Sequence, residues 1–239
     1  MTKAYFEILR SGINTTYQDV GRNSLYHIGI PFSGAMDKRN LLISNKLVGN
    51  KQTSPAIEFA LQGPLLRLNN SKANFVITGD VNFNIIRKNS INEKGNCYQS
   101  YVIEGGDQLD IISTNRSVYG YLSIQGGYKI DSFWNSYSVN TKAKIGPNSG
   151  EKFSNNQKIF LNDIRESFHK KKINYINSKI EFIRVIKGTN YNYFSEKAKK
   201  IFLSEEFKVS KLSDRMGMRL EGSKLENIID TNIRSEGLI

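Results

Sequence analysis

Asn74-Phe75-Val76-Ile77-Thr78-Gly79-Asp80-Val81-Asn82-Phe83-Asn84-Ile85-Ile86-Arg87 reads as two β-rich runs, 74–78 and 82–87, joined across a Gly-Asp turn. Branched and aromatic side chains favour extended backbone, and Gly79-Asp80 supplies the positive φ that a tight turn demands. Working outward, comparable runs occupy Ala4–Leu9, Leu65–Leu68, Gln108–Ile112, Tyr119–Ile124, Lys158–Leu161, Ile180–Ile186 and Phe207–Val209. Gly105-Gly106-Asp107 and Gly126-Gly127 punctuate them. No regular βαβ alternation is present, which argues against a doubly wound sheet. Closely spaced strands with few helices predict a mainly β barrel or sandwich.

Two helices interrupt the strands. The first runs from about Met36 to Val48, with Ser33 or Asp37 as cap and Gly49-Asn50 as its stop. The second lies near Ser195–Phe202, where Ala198, Ile201 and Phe202 fall at helical spacing. A polar stretch between Asn162 and Ser178, holding His169 and Lys170-Lys171-Lys172, marks a boundary. It separates a strand-rich domain of residues 1–165 from residues 178–239, a partial second β domain too short for a large core of its own.

Composition sets further limits. With 239 residues, 38% of them hydrophobic, the chain is globular rather than disordered. No apolar run approaches the roughly 20 residues needed to span a bilayer. One cysteine, Cys97, excludes an internal disulfide and argues against a Cys-built metal site, so no metal is expected. An acid, Glu7, stands where a signal peptide carries its apolar stretch, and a cytoplasmic home is expected. The net charge of +12 is scattered among acids, which argues against a nucleic-acid binder.

The most specific stretch is Thr15-Thr16-Tyr17-Gln18-Asp19-Val20-Gly21-Arg22, followed by His27-Ile28-Gly29-Ile30-Pro31-Phe32-Ser33-Gly34-Ala35-Met36-Asp37. After it come Leu47-Val48-Gly49-Asn50, Ala56-Ile57-Glu58, Gly63-Pro64, Thr78-Gly79-Asp80, Tyr121-Leu122-Ser123-Ile124-Gln125-Gly126-Gly127 and Ser213-Asp214-Arg215-Met216-Gly217-Met218-Arg219-Leu220-Glu221-Gly222. In this order they resemble the family of the 5-oxoprolinase C-type subunit and the second allophanate hydrolase subunit, also described as biotin-dependent carboxyltransferase-like. There are two departures. Asn135-Ser136-Tyr137-Ser138-Val139 replaces a Gly-Ser-Arg-Ser-Thr-like stretch, so an arginine is missing. The sequence also stops at Ile239 without the Pro-rich strand and Thr-Gly-Gly-Tyr-like loop of the family, so the second barrel-like domain reads as incomplete.

The resemblance implies a cyclophilin-like β-barrel and a small amide substrate. It also implies two partners, a homologous B-type subunit and a third 5-oxoprolinase subunit, and ATP as the energy source for opening 5-oxoproline to glutamate. The alternatives it carries are a urea carboxylase-like carboxyltransferase and a non-catalytic, partner-binding relative. No Gly-x-x-x-x-Gly-Lys-Ser/Thr loop is present, so ATP rests on the family or on a partner subunit.

Chemistry on an amide carbonyl calls for proton-transfer groups and positioned donors. The candidate catalytic residues are His27, the acid Glu58 and the turn residue Asp80; each also has a structural reading, an Asx-turn for Asp80. Ser33, Gly34 and Asp37 precede a helix whose free N–H groups favour an anionic ligand, or else simply cap it. Asp214 and Arg215 complete the substrate-binding candidates, Arg215 as a two-pronged grip on a carboxylate or phosphate or as a bridge between domains. Asp19 and Arg22 are expected to form a local ion pair that fixes the loop. Cys97 and Trp134 are expected to pack.

Overall fold

The computed structural model describes residues 3–163, 170–174, 181–215 and 217–229. The chain divides into two units, Met1–Ile176 and Asn177–Ile239.

The first unit is built from two antiparallel sheets around one core. The first sheet contains β1 (Tyr5–Arg10), β4 (Leu65–Asn69), β6 (Val81–Ile86), β7 (Asn92–Lys94), β9 (Gln108–Thr114) and β11 (Lys158–Phe160), in the order β11-β1-β4-β9-β6-β7. The second contains β2 (Thr16–Gln18), β3 (Ala56–Ala60), β5 (Lys72–Thr78), β8 (Ser100–Glu104) and β10 (Tyr119–Ile124), in the order β2-β3-β10-β5-β8. The mainly β expectation is borne out, and the 74–87 run is indeed two strands across a Gly-Asp turn, though each strand joins a different sheet.

Side-chain alternation sets the layers. In the first sheet Phe6, Ile8, Leu66, Leu68, Phe83, Ile85, Leu109 and Ile111 point into the core, and their neighbours in sequence are partly exposed. In the second sheet Ile57, Phe59, Phe75, Ile77, Leu122 and Ile124 meet them. Its strands β3, β5 and β10 are buried on both faces because α1 (Lys38–Val48) covers the other one. Leu41 packs with Ala56 and Tyr121, and Leu47 and Val48 pack on Val76. Each such side chain contributes about 1.5–3 kcal/mol when fully buried.

Asp37 is the helix cap, accepting from Asn40 N–H at 3.0 Å, and Gly49 ends the helix at φ 76°. The adjoining Asn50 then latches the helix end to β10, donating to Ile124 O at 2.8 Å and accepting from Gly126 N–H at 3.0 Å. Two separate motifs of the sequence, Leu47-Val48-Gly49-Asn50 and Gly126-Gly127, meet there.

Among the described residues of the second unit are α2 (Glu196–Ser204), capped by Ser195, and a two-stranded ribbon of β12 (Lys208–Val209) and β13 (Leu220–Glu221). The expected strand Ile180–Ile186 does not form over residues 181–186, and Ile180 lies outside the described residues, as does His169. No described helix is long and apolar enough to cross a membrane.

Phe75 is fully buried, with its ring 5.8 Å from Tyr101 and 6.3 Å from Phe83. Phe75→Ala should cost about 3–5 kcal/mol of stability, read from a urea melt. Burial also raises the phenols of Tyr17, Tyr121 and Tyr128 above the ordinary 10.0. The unfolded chain therefore loses these protons first as pH rises. Stability should be unaffected by them below about pH 10 and fall above it, with these three tyrosines ionising only as the protein unfolds in an alkaline absorbance titration.

Candidate functional site

The signature folds as a loop, residues 19–37, closed at its neck by two backbone bonds. Arg22 N–H donates to Phe32 O at 2.8 Å and Ala35 N–H donates to Asp19 O at 2.9 Å. The neck demands glycine twice. Gly21 and Gly34 have φ of 94° and 90°. A Cβ on Gly34 would sit 3.1 Å from Gly21 Cα, and one on Gly21 only 2.5 Å from the Phe32 ring. Ser33, itself at φ 58°, accepts from Asn140 Nδ2 at 3.4 Å. His27 rides at the far end of the loop, in a short 3-10 turn of Tyr26–Ile28, and is exposed.

At the base of the loop lies Glu58, 1% exposed. Because Ile57 and Phe59 point into the core, Glu58 points the other way, to the face that α1 covers. Its Oε2 accepts from Met36 N–H at 2.9 Å and from the Tyr121 hydroxyl at 2.8 Å. Tyr121 in turn accepts from Asp37 N–H at 2.7 Å. The pairing is dictated by register, since Tyr121 lies opposite Glu58 on β3 and β10. The N–H groups leading into α1 are thus held by Glu58, Tyr121 and the Asp37 carboxylate.

The loop is also stitched to a turn 117 residues away. Asp19 Oδ1 accepts from Gly21 N–H at 2.9 Å, Ser136 Oγ at 2.7 Å and Ser138 Oγ at 2.5 Å. Its Oδ2 accepts from Tyr137 N–H at 2.7 Å. Arg22, 2% exposed, donates from Nε to Phe133 O at 3.3 Å and from Nη2 to Ser138 O. Burial holds its guanidinium below the usual range, against the attraction of Asp19. Asp19 and Arg22 therefore do not pair directly as expected; each binds the 133–138 turn instead.

The remaining expected residues lie on other segments of the chain. Asp80 is exposed and accepts from Asn115 Nδ2 at 3.0 Å and Arg116 N–H at 3.2 Å, closing a loop. In the second unit, Asp214 sits in a turn, its N–H donating to Gly217 O at 3.1 Å. Arg215 beside it is partly buried, and burial pushes its guanidinium down to about 10. Glu58, Ser33, Gly34 and Asp37 are thus brought to one loop, His27 to its tip. Cys97 is partly buried and its thiol is pushed up to about 11 by burial, so it is not a thiolate at neutral pH. Trp134, expected to pack, is instead 52% exposed.

Sequence reasoning did not find Gln18, Ser136, Ser138 or Tyr121 as members of the polar layer. The signal for Tyr121 was its alternation with Leu122 and Ile124, which needed the β3–β10 register to become informative.

These features define a mainly antiparallel β domain with a polar layer sealed under two loops. Residues 28–239 match the carboxyltransferase domain, subdomain A and B, and the chain belongs to that family. It is 30% identical over 221 residues to the C-type subunit of 5-oxoprolinase from Haemophilus influenzae, spanning 92% of this chain and 69% of that one. The corresponding Escherichia coli protein is 28% identical over 98% of this chain and 74% of its own. A crystal structure of the K. lactis urea amidolyase superposes with a TM-score of 0.78 at 26% identity, covering 95% of this chain and 14% of that much longer one.

Asp19→Ala removes every hydrogen bond that this buried carboxylate accepts from Gly21, Ser136, Tyr137 and Ser138. It should destabilise the unit by about 2–4 kcal/mol and open the 133–138 segment to proteolysis ahead of global unfolding, as judged by limited digestion and mass spectrometry.

Proposed function

We propose that this chain is a subunit of a 5-oxoprolinase-type, ATP-dependent amidohydrolase that opens the lactam of 5-oxoproline to glutamate. The observation that carries the reading is the 30% identity with the C-type 5-oxoprolinase subunit across 92% of the chain. The reaction breaks the lactam C–N bond and adds water, which needs a proton donor for the leaving nitrogen and a polarised carbonyl. His27, exposed at the loop tip, is assigned the proton transfer. Glu58 is a positioning residue that holds Tyr121 and the Ser33-Gly34-Ala35-Met36-Asp37 segment.

The residues at α1 do not fit a nucleotide phosphate. Asp37 already caps its first turn and Glu58 takes the preceding N–H, so two carboxylates stand where a phosphate would need donors. On this reading ATP is held by a partner in the complex. Asp80, Asp214 and Arg215, the other expected site residues, are given no step in this reading.

The purified chain, combined with its homologous B-type partner and the third subunit, should consume 5-oxoproline and ATP together, and leaving out this chain should abolish both. If the full set leaves both unconsumed, the reading fails. His27→Gln should lower turnover about 100-fold or more without changing the melting temperature.

A second reading, carboxyl transfer from carboxybiotin to urea, is favoured by the match to the urea amidolyase structure over 95% of the chain. Urea-dependent decarboxylation of carboxybiotin by the chain would support it, and absence of that reaction would count against it.

A further inference from the structure

The run Lys170-Lys171-Lys172 does not stand apart from the first unit. Residues 170–173 lie along the outer edge of β8, the last strand of its sheet. Ser100 N–H donates to Lys171 O at 2.9 Å, Lys171 N–H to Ser100 Oγ at 2.8 Å and Ile173 N–H to Tyr98 O at 3.0 Å. Ile173 then packs, as does Ile43 of α1, on the small cluster of Leu47, Val48 and Val76. The lysine run is thereby pinned beside the outer face of α1, although the two are far apart in the sequence.

That face of α1 is itself basic. Arg39, Ile43 and Lys46 recur at helical spacing on one stripe, so Arg39 and Lys46 bracket the isoleucine that shares a cluster with Ile173. Lys38 and Lys51 stand at the two ends of the helix. All of these cations, with Lys170, Lys171 and Lys172, are exposed. No acid occurs between Asp37 and Glu58, and Glu58 is buried. The lysines of this face make no ion pair with a described acid, whereas Lys72, Lys144 and Lys199 each make one. Of the acids around it, Asp37 is engaged in capping the helix, Glu104 is paired with Lys72, and Asp163 lies beside Gly126 at the Asn50 end. Charge that is scattered along the sequence is gathered by the fold into a surface about 16 Å long, the length of α1.

A surface of this kind fits a backbone of closely spaced phosphates. Protein interfaces carry an apolar centre, and membrane-binding faces insert apolar side chains. Among the described residues no large hydrophobic side chain is exposed within 38–51 or 170–174. Single-stranded nucleic acid is held by stacking on exposed aromatic rings, which these stretches also lack. A duplex presents about one charge per 1.7 Å of its axis and is bound by cations without any reading of sequence.

We propose that α1 and residues 170–173 form a sequence-independent docking surface for a nucleic-acid duplex, with Arg39, Lys46 and Lys170–Lys172 against its phosphates. The even scatter of charge along the chain argues against such a role, and the pairing of residues 171–173 with β8 reverses that argument. The inference rests on no part of the amide chemistry proposed above.

The purified chain is titrated into a fluorescein-labelled duplex of about 20 base pairs, and anisotropy is followed at about 50 and about 200 mM salt. Binding should saturate at the lower salt and weaken about 100-fold or more at the higher, as about four phosphate contacts require. The triple variant Lys170→Glu, Lys171→Glu, Lys172→Glu should bind at least about tenfold more weakly and show a flatter salt dependence. Lys46→Gln should lower the salt slope by about 1. A control with the same change of charge in the second unit, Lys200→Glu, Lys208→Glu, Lys224→Glu, should stay within about threefold of the wild type. A single strand, a polyglutamate peptide and phosphatidylglycerol vesicles are titrated alongside. No saturable binding at the lower salt, equal losses in the two triple variants, or tighter binding to any of the three other probes than to the duplex would each overturn the proposal. Should the Lys170–Lys172 variant fail to fold, as a melting curve would show, Lys46→Gln and the four probes still decide it.

Discussion

The Asp19 carboxylate is the point on which the signature loop and the 133–138 turn both depend. Buried and without a direct cation partner in contact, it accepts hydrogen bonds from two hydroxyls and two backbone amides. A buried carboxylate left without such donors would be costly, so these bonds tie the loop to the turn. The arrangement is reciprocal, because Ser138 Oγ also accepts from Asp19 N–H at 3.0 Å. Remove the carboxylate and the hydroxyls of Ser136 and Ser138 lose their acceptor. Arg22 would then remain as a buried charge tethered only to carbonyls.

The segment around Ser136, where the sequence departs from the family stretch it resembles, is held by this arrangement. Asn135 stands where the family stretch has glycine, at a φ of 59° that asparagine adopts more readily than other residues. Tyr137 stands in the arginine position, yet what Asp19 binds there is the backbone N–H. The turn is held through Ser136, Ser138 and the Tyr137 N–H. The side chain offered at the turn is an aromatic alcohol.

The fold was legible where one strand carries its own signal. The runs at 74–78, 82–87 and 119–124 are strands because branched and aromatic residues alternate between turn glycines, and α1 is bounded by its own cap and stop. β3 was visible only as a family motif. Ala56-Ile57-Glu58-Phe59-Ala60 is buried on both faces, so it shows no alternation of apolar and polar residues, and an acid sits at its centre. The run 180–186 shows the opposite failure. Phe182, Ile183, Val185 and Ile186 have strand propensity, but all four are exposed and residues 181–186 form no strand. Propensity describes what would fit a pleated surface, and a neighbouring strand has to be present for it to matter.

The polar layer was less legible for a related reason. Local reading singled out His27, Asp80 and the capping loop, because titratable residues beside glycines are conspicuous in one dimension. The residues that make the layer are conspicuous only once distant segments meet: Glu58 with Tyr121 across 63 residues, Asp19 with Ser138 across 119, Gln18 with Val139 across 121. Long-range polar contacts of this kind are expensive to assemble and costly to leave half-made, so each must satisfy its own donors and acceptors. Gln18 Oε1 and Arg22 Nη1, buried without a partner among the described residues, stand out for that reason. Every other tie in the Asp19–Arg22–Ser138 cluster is made by a side chain or backbone group whose partner lies within the fold.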